Sequence, residues 1–259
     1  MTSTLPTKVF DPRHGRRQTD LRAWSCVERC RRKLGISEIP LPIPVEDWIE
    51  GPLSIRYGIT DLSHLGDGVL GAVFIEDREI QIDERVLDHD GRARFTCAHE
   101  LGHMMLHKTV RQVFQETGEP FDDLRDRVER QADRFAAAFL MPLPLLEREL
   151  IRVLDSTGLD RVKCILELMK TTTEAEWLWR RQFLPAITRR FGVSLTAAIN
   201  RCNDIRPRLP DSRPLLPFEL IKRLLRPVRS NPELQDVCVV DGIPRRRDLF
   251  SVAECTGTG

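Results

Sequence analysis

The sequence predicts an α+β protein, with a small β-sheet against helices in its amino-terminal half and a helical module after it. In the amino-terminal half, short apolar runs typical of strands lie within residues 53–84, in LSIRYGI, GAVFIED and REIQIDE. On both sides of them, apolar residues recur mainly at the three- and four-residue spacing of helices. The proline-rich stretch RPRLPDSRPLLP then separates a last small piece of the chain.

The elements expected in the amino-terminal half rest on periodicity and on residues that begin or end a helix. A polar, basic segment with two prolines is expected to be disordered over residues 1–17. A β-hairpin is predicted at Glu76–Arg78, because only charged residues separate GAVFIED from REIQIDE. The predicted helices, which end near a glycine, a proline or a polar loop, cover residues 20–33, 45–49, the stretch RFTCAHELGHMMLHK, and 122–140.

The carboxy-terminal half is predicted to be helical over residues 143–182, where leucines recur at helical spacing. QFLPAITRRFGVSLTAAINRC predicts two helices joined by a turn at Gly192, with Ser194 as the N-cap of the second. A short helix at Phe218–Leu225 and a strand at DVCVV should follow. We therefore expect three domains after the disordered start: residues 18–142, a helix-turn-helix-like module over 143–206, and a linker with a small basic extension over 207–259.

The composition favours a cytoplasmic protein. The chain has no run of about 18 apolar residues, so we expect no membrane span. Its first residues lack the apolar core of a secretory signal. The seven cysteines include no CxxC pair, which favours reduced thiols over a disulfide framework.

The net charge of +1 conceals an uneven distribution along the chain. Residues 36–90 carry thirteen acidic side chains against three basic ones. Residues 1–33 carry nine basic against three acidic side chains, and residues 201–247 carry eleven against six. An acidic region favours a cationic partner, and basic termini favour contact with nucleic acid or with an acidic surface. The alternative for any single cluster is a solvated face of a helix or loop.

The segment CAHELGHMMLH contains an HExxH pattern, in which His99 and His103 flank Glu100 and two further residues. Residues four apart lie on one face of a helix, so both imidazoles can reach one ion. Imidazole nitrogen suits Zn²⁺, which is the expected cofactor, with Mn²⁺ as the alternative. In zinc peptidases the offset of Glu100 places its carboxylate beside the reacting water, where it acts as a general base.

A catalytic zinc needs a third protein ligand, and Glu129 is the candidate. It lies 26 positions after His103, far enough for the chain to turn and bring a second helix back. Asp133 lies one turn further on the same face, where its carboxylate can hold the free N–H of a ligand histidine. The alternative is a structural role, with buried histidines in the core and with Glu129 and Asp133 paired with Arg125 or Arg130 on a solvated face. Burying the two histidines and Glu100 without a common partner, however, costs on the order of several kcal/mol.

Other polar side chains near the motif have less specific interpretations. His107 extends the histidine stripe, but no glycine break precedes it, so we expect it to support the site from outside. Cys97 lies on a different side of the helix and is expected to be a packed thiol. An oxyanion-stabilising role is open among Tyr57, His64 and His89. The strand Glu79–Asp83 is expected at a sheet edge, where an extended peptide can pair with it.

RFTCAHELGHMMLH followed by VERQADRFAAAFLMP resembles the ImmA/IrrE metallopeptidases, over roughly Ile43 to Pro142. LPAITRRFGVSLTAAINR resembles the helix-turn-helix-like segment that follows in many members. The resemblance implies a zincin-like core in which the polar residues take these roles: His99, His103 and Glu129 as metal ligands, Glu100 as catalytic base and Asp133 as support for a ligand. Residues 207–259 resemble nothing known to us.

The resemblance also implies a substrate, because family members cleave helix-turn-helix repressors and so release mobile-element, defence or stress programmes. We therefore expect a zinc-dependent endopeptidase that acts on such a partner protein. Two alternatives stay open. The first is a transcriptional regulator that reads DNA through RRFGVSLTAAINR, and the second is a metal-binding sensor or toxin–antitoxin partner without turnover.

Overall fold

A computed structural model of the chain describes residues 12–66, 68–88, 90–107, 121–208, 213–240 and 243–247. The chain divides into two compact units, residues 1–143 and 144–259. Mostly helices and two small sheets make up the described part, so the α+β class is confirmed. Within these ranges no helix is long and apolar enough to span a membrane. The finer domain limits expected at residues 206 and 207 stay a prediction.

Four helices of the first unit fall within the described ranges. They are α1 (Pro12–Leu34), α2 (Val45–Glu50), α3 (Asp90–Leu106) and α4 (Phe121–Leu140). Helix α1 includes residues 12–17, so the prediction of disorder is wrong for them, and residues 1–11 lie outside the described part. Proline is favourable as the first residue of a helix, because its missing N–H has no partner there in any case.

The sheet of the first unit has the order β1 (Arg56–Thr60), β3 (Glu79–Asp83), β2 (Gly71–Phe74). Strand β2 pairs antiparallel with β3, which confirms the hairpin, and β1 pairs parallel with β3 on its other side. The prediction that Glu79–Asp83 forms an edge is therefore wrong, because β1 covers that edge. Its isoleucines, Ile80 and Ile82, are fully buried, as suits a central strand. In the described part, β2 pairs with β3 alone.

The second unit consists of helices and one hairpin. Its helices are α5 (Leu143–Ser156), α6 (Arg161–Leu168), α7 (Thr173–Leu178), α8 (Leu184–Phe191), α9 (Leu195–Cys202) and α10 (Phe218–Leu224), and its strands are β4 (Val237–Val240) and β5 (Ile243–Arg246). The turn between α8 and α9 is confirmed, with Gly192 at φ +61° and the Ser194 hydroxyl accepting the Ala197 N–H.

The cysteines differ in one respect from the expectation. Five of them are free and buried, namely Cys26, Cys30, Cys97, Cys164 and Cys202. Cys238, however, is disulfide-bonded, so the expectation of reduced thiols is wrong for this residue. The number and spacing of cysteines do not show which thiols the fold brings together.

A buried carboxylate, Glu176, joins distant segments of the second unit. Its side chain is 1% exposed. It accepts hydrogen bonds from Arg180 Nε at 2.9 Å, Arg223 Nε at 2.8 Å and Asn231 Nδ2 at 3.0 Å. Arg180 lies in the π-helical turn Trp179–Phe183 that follows α7, Arg223 lies in α10, and Asn231 follows α10. Two guanidinium groups therefore share one carboxylate, which ties α7 to the chain around α10.

We expect Glu176→Ala to lower the free energy of unfolding by about 3–5 kcal/mol, because it leaves two arginines without their shared counter-charge. Urea denaturation followed by tryptophan fluorescence measures this change. The matched control is Glu174→Ala on the same helix, which should change the value by less than about 0.5 kcal/mol. Equal losses in the two variants would contradict the role given to Glu176.

Candidate metal centre

Helices α3 and α4 approach each other closely at Gly102. A Cβ atom at this position would lie 3.1 Å from the Ala132 Cα and 3.2 Å from the Phe135 Cβ, both on α4. A side chain here would therefore push the helices apart. Because Gly102 directly precedes His103, its small size brings the histidines of α3 to the carboxylates of α4.

Three atoms of the kind that bind metals converge between these helices. His99 Nε2 lies 3.0 Å from His103 Nε2 and 3.2 Å from Glu129 Oε2. Glu129 Oε2 lies 3.6 Å from His103 Nε2. Two ligand atoms held by one tetrahedral Zn²⁺ at its usual bond lengths lie about 3.3 Å apart. The three side chains predicted as ligands thus come together, and their spacing and chemistry fit such an ion.

The Asp133 carboxylate lies beside this cluster, one turn after Glu129 on α4. Its Oδ1 lies 2.9 Å from His99 Nδ1. A carboxylate can only accept, so the Nδ1–H of His99 donates this hydrogen bond. In the neutral ring the lone pair then lies on Nε2, which is the atom that faces His103 and Glu129.

The cluster attracts positive charge. Burial lowers the pKa of His99, but the hydrogen bonds to Asp133 and Glu129 outweigh burial and raise that pKa to about 10. The imidazoles of His103 and His99 beside it hold the pKa of Glu129 well below its usual range. At neutral pH the group therefore holds a proton when no cation is bound, and a metal ion competes with that proton for the same lone pairs.

Glu100 lies beside the cluster and is only 7% exposed. Burial raises its pKa, while His99 and His103 act in the opposite direction. The carboxylate lies against Gly71 at the start of β2, where a Cβ atom would be 2.5 Å from Oε1 and 2.8 Å from Cγ. Neither Gly71 nor Gly102 was predicted from the sequence, where the only signal was a glycine inside a strand or helix pattern.

The other polar candidates have partners of their own. The Tyr57 hydroxyl lies 3.5 Å from Cys97 Sγ, and burial raises the pKa of this thiol to about 12. His64 is exposed, with Nδ1 3.2 Å from the Asp61 carbonyl oxygen. His89 lies outside the described residues. The structure thus agrees with a packed thiol at Cys97, and it identifies no oxyanion-stabilising group among the candidates that it describes.

His107 contacts the cluster from outside. It is 6% exposed, and its Nδ1 lies 3.1 Å from His103 Nδ1. Its Nε2 lies 3.1 Å from the Gln131 side-chain oxygen. This position agrees with the supporting role expected from the missing glycine break.

The family model Peptidase_M78, described as the IrrE N-terminal-like domain, matches residues 68–203, which is slightly more than half of the chain. No curated protein matches the sequence significantly. Among solved structures, a Mycobacterium tuberculosis transcriptional regulator matches at 17% identity and a TM-score of 0.45, over 76% of this chain and 49% of that one. The chain thus spans about half the length of that regulator.

Proposed function

The chain belongs to the ImmA/IrrE family, whose model matches residues 68–203, and on this premise we propose that it is a zinc-dependent endopeptidase. The observation that carries the proposal is the triangle formed by His99 Nε2, His103 Nε2 and Glu129 Oε2, with the buried Glu100 beside it. Two histidines, one carboxylate and an adjacent unliganded carboxylate are the side chains of a zincin-like site.

Each residue of the site has a separate role in the proposed reaction. His99, His103 and Glu129 would hold the ion, and Asp133 keeps His99 in the binding tautomer. A divalent cation there supplies Lewis acidity, which polarises a scissile carbonyl and makes water a stronger acid. Glu100 takes the proton of the attacking water and delivers it to the amine that leaves. Zinc suits this ligand set best, and Mn²⁺ is the alternative.

The substrate strand would lie along β2. This strand pairs only with β3 in the described part of the chain, and its first residue, Gly71, lies against Glu100. An extended peptide that adds to the free edge of β2 would place a peptide bond next to the general base. Strand β2 therefore replaces β3, which has no free edge, as the proposed substrate-binding strand.

The partner protein would be a helix-turn-helix repressor, and two observations support this class. Residues 36–90, which include the sheet, are strongly acidic and so favour a basic substrate such as a DNA-binding protein. In the second unit, α8 and α9 form a helix-turn-helix-like pair, and α9 exposes Leu195 together with Thr196 and Asn200. A mixed apolar and polar helix face of this kind suits protein docking.

Comparing protein amino termini in cells that express the wild type or the Glu100→Gln variant tests the substrate class. We expect new amino termini inside a helix-turn-helix repressor in wild-type cells only. The purified repressor should then be cut at the same bond by the full chain, and EDTA should stop the reaction. New termini that arise equally in both strains, or in no DNA-binding protein, would contradict the proposal.

A second function, sequence-specific DNA binding, has one favourable observation. The polar side chains of Thr196 and Asn200 on α9 are exposed, and so are Arg189 and Arg190 at the end of α8. Side chains of these types contact bases and phosphates in DNA complexes. Mobility-shift assays over a range of salt concentrations distinguish the two functions, because only a regulator should retain sequence-specific binding at physiological salt.

Gly71→Ala should lower the cleavage rate by up to about 100-fold, because the added Cβ displaces the Glu100 carboxylate from the reacting water. Zinc affinity should not change, since the three atoms nearest to the added Cβ all belong to Glu100, which is not a proposed ligand. Single-turnover cleavage and zinc titration measure the two quantities. The matched control is Gly58→Ala in β1, where the added Cβ meets nothing within 4 Å. Equal cleavage rates for both variants would show that the space at Gly71 does not position Glu100.

A further inference from the structure

We propose that Gln131 and His107 are positioning residues that fix which nitrogen of His103 carries the proton. They form a hydrogen-bonded chain that runs from Gln131 to His107 and ends at His103. The inference rests on the proposed function, because its consequence is that His103 Nε2 stays free to bind the metal. His99 differs from His103 in this respect, because the Asp133 carboxylate fixes its tautomer through a direct hydrogen bond.

The direction of each hydrogen bond in this chain follows from the atom at its end. The Gln131 side-chain oxygen, 3.1 Å from His107 Nε2, can only accept, so His107 carries its proton on Nε2. The neutral His107 ring then has its lone pair on Nδ1. This atom lies 3.1 Å from His103 Nδ1, which must therefore donate. His103 consequently has its lone pair on Nε2, the atom that faces His99 and Glu129.

The reverse direction would block the site. A donor at position 131 would place the His107 proton on Nδ1, and His103 would then have to accept with its own Nδ1. In that tautomer His103 Nε2 carries a proton and points it at the place of the ion. An acceptor at position 131 therefore decides whether His103 binds the metal.

The surroundings hold this chain of hydrogen bonds in place. His107 is 6% exposed, and its backbone N–H donates to the His103 carbonyl at 3.0 Å, so its ring is fixed directly after the end of α3. Gln131 lies on α4, two residues after Glu129. The same helix thus supplies a proposed ligand and the acceptor that sets the tautomer of another.

Measurements of zinc affinity with a competing chelator test the proposal on the full chain. Gln131→Leu removes the acceptor at similar volume, and we expect its dissociation constant for Zn²⁺ to rise about 10–100-fold. His107→Phe should have a similar effect. Gln131→Glu is the matched control: its carboxylate can only accept, so affinity should stay at the wild-type value or increase. Thermal unfolding of the metal-free variants shows whether each one is folded.

Long-range ¹H–¹⁵N spectra of the histidine rings provide a readout that a purely structural role would not change. In the metal-free wild type, His107 should be protonated on Nε2 and His103 on Nδ1. In metal-free Gln131→Leu, His107 should lose this preference. The proposal is overturned if metal-free wild type carries the His107 proton on Nδ1, or if folded Gln131→Leu binds zinc like the wild type. Failure of the wild type to bind zinc would instead overturn the proposed function itself, and this inference with it.

Discussion

Glu129→Gln is expected to raise the dissociation constant for Zn²⁺ by more than about 100-fold. This loss exceeds the usual effect of substituting a residue that only supports a ligand. The substitution keeps the shape of the side chain but removes the negative charge that faces His99 and His103. An amide oxygen is a much weaker ligand than a carboxylate for Zn²⁺, and it does not offset the charge of the ion. The ion is then bound by two histidine nitrogens and a neutral amide, with no carboxylate among its protein ligands.

Equilibrium titration of the full chain with Zn²⁺ against a fluorescent chelator measures this loss. The matched control is Asp126→Asn, which removes a negative charge from an exposed site on the same helix. It should leave the dissociation constant within about a factor of two, because exposed charges at a distance are screened by salt. Similar affinities for Glu129→Gln and the wild type would mean that another group is the third ligand.

Glu100→Gln should lower the cleavage rate by about 10²–10⁴-fold, which is the usual contribution of general acid–base catalysis. Zinc affinity should stay near the wild-type value, because the Glu100 carboxylate is not among the three side chains whose ligand atoms converge. Glutamine fills the same volume next to Gly71 but cannot take a proton from water. Single-turnover kinetics with the identified substrate and zinc titration measure the two effects separately.

The pH dependence of cleavage gives a second measure of the same residue. Glu100 must be deprotonated to act as a base, and burial raises its pKa above that of a free carboxyl. Activity should therefore fall as the pH drops through a value above about 4.3, the usual value for glutamate. The matched control is Glu84→Gln, an exposed glutamate of the same unit. Full biological activity of Glu100→Gln would favour the metal-binding sensor without turnover.

Local sequence patterns predicted those parts of the structure that depend on neighbouring residues. His99 and His103 share a helix face because they are four residues apart. The β2–β3 hairpin and the Ser194 cap follow from short patterns of apolar, turn and capping residues. Glu129 was predicted from its distance along the chain and from the family resemblance, and the helix pairing that brings it to the histidines is a tertiary contact.

Features that depend on tertiary contacts were missed or predicted wrongly. Strand β3 is central rather than an edge because β1, some twenty residues earlier, pairs with it in parallel. No local pattern specifies such a pairing. Gly71 and Gly102 matter only because Glu100 and Ala132 lie against them. Gln131 likewise looks like an ordinary polar helix residue until His107 is placed beside it.

Anomalous diffraction at the zinc edge, from crystals of the full chain grown with one equivalent of Zn²⁺, tests most directly whether two helices share one ion. We predict a single peak about 2.0–2.2 Å from His99 Nε2, His103 Nε2 and a Glu129 carboxylate oxygen. A peak at another set of side chains, or no peak in crystals of folded protein soaked with zinc, would contradict the account.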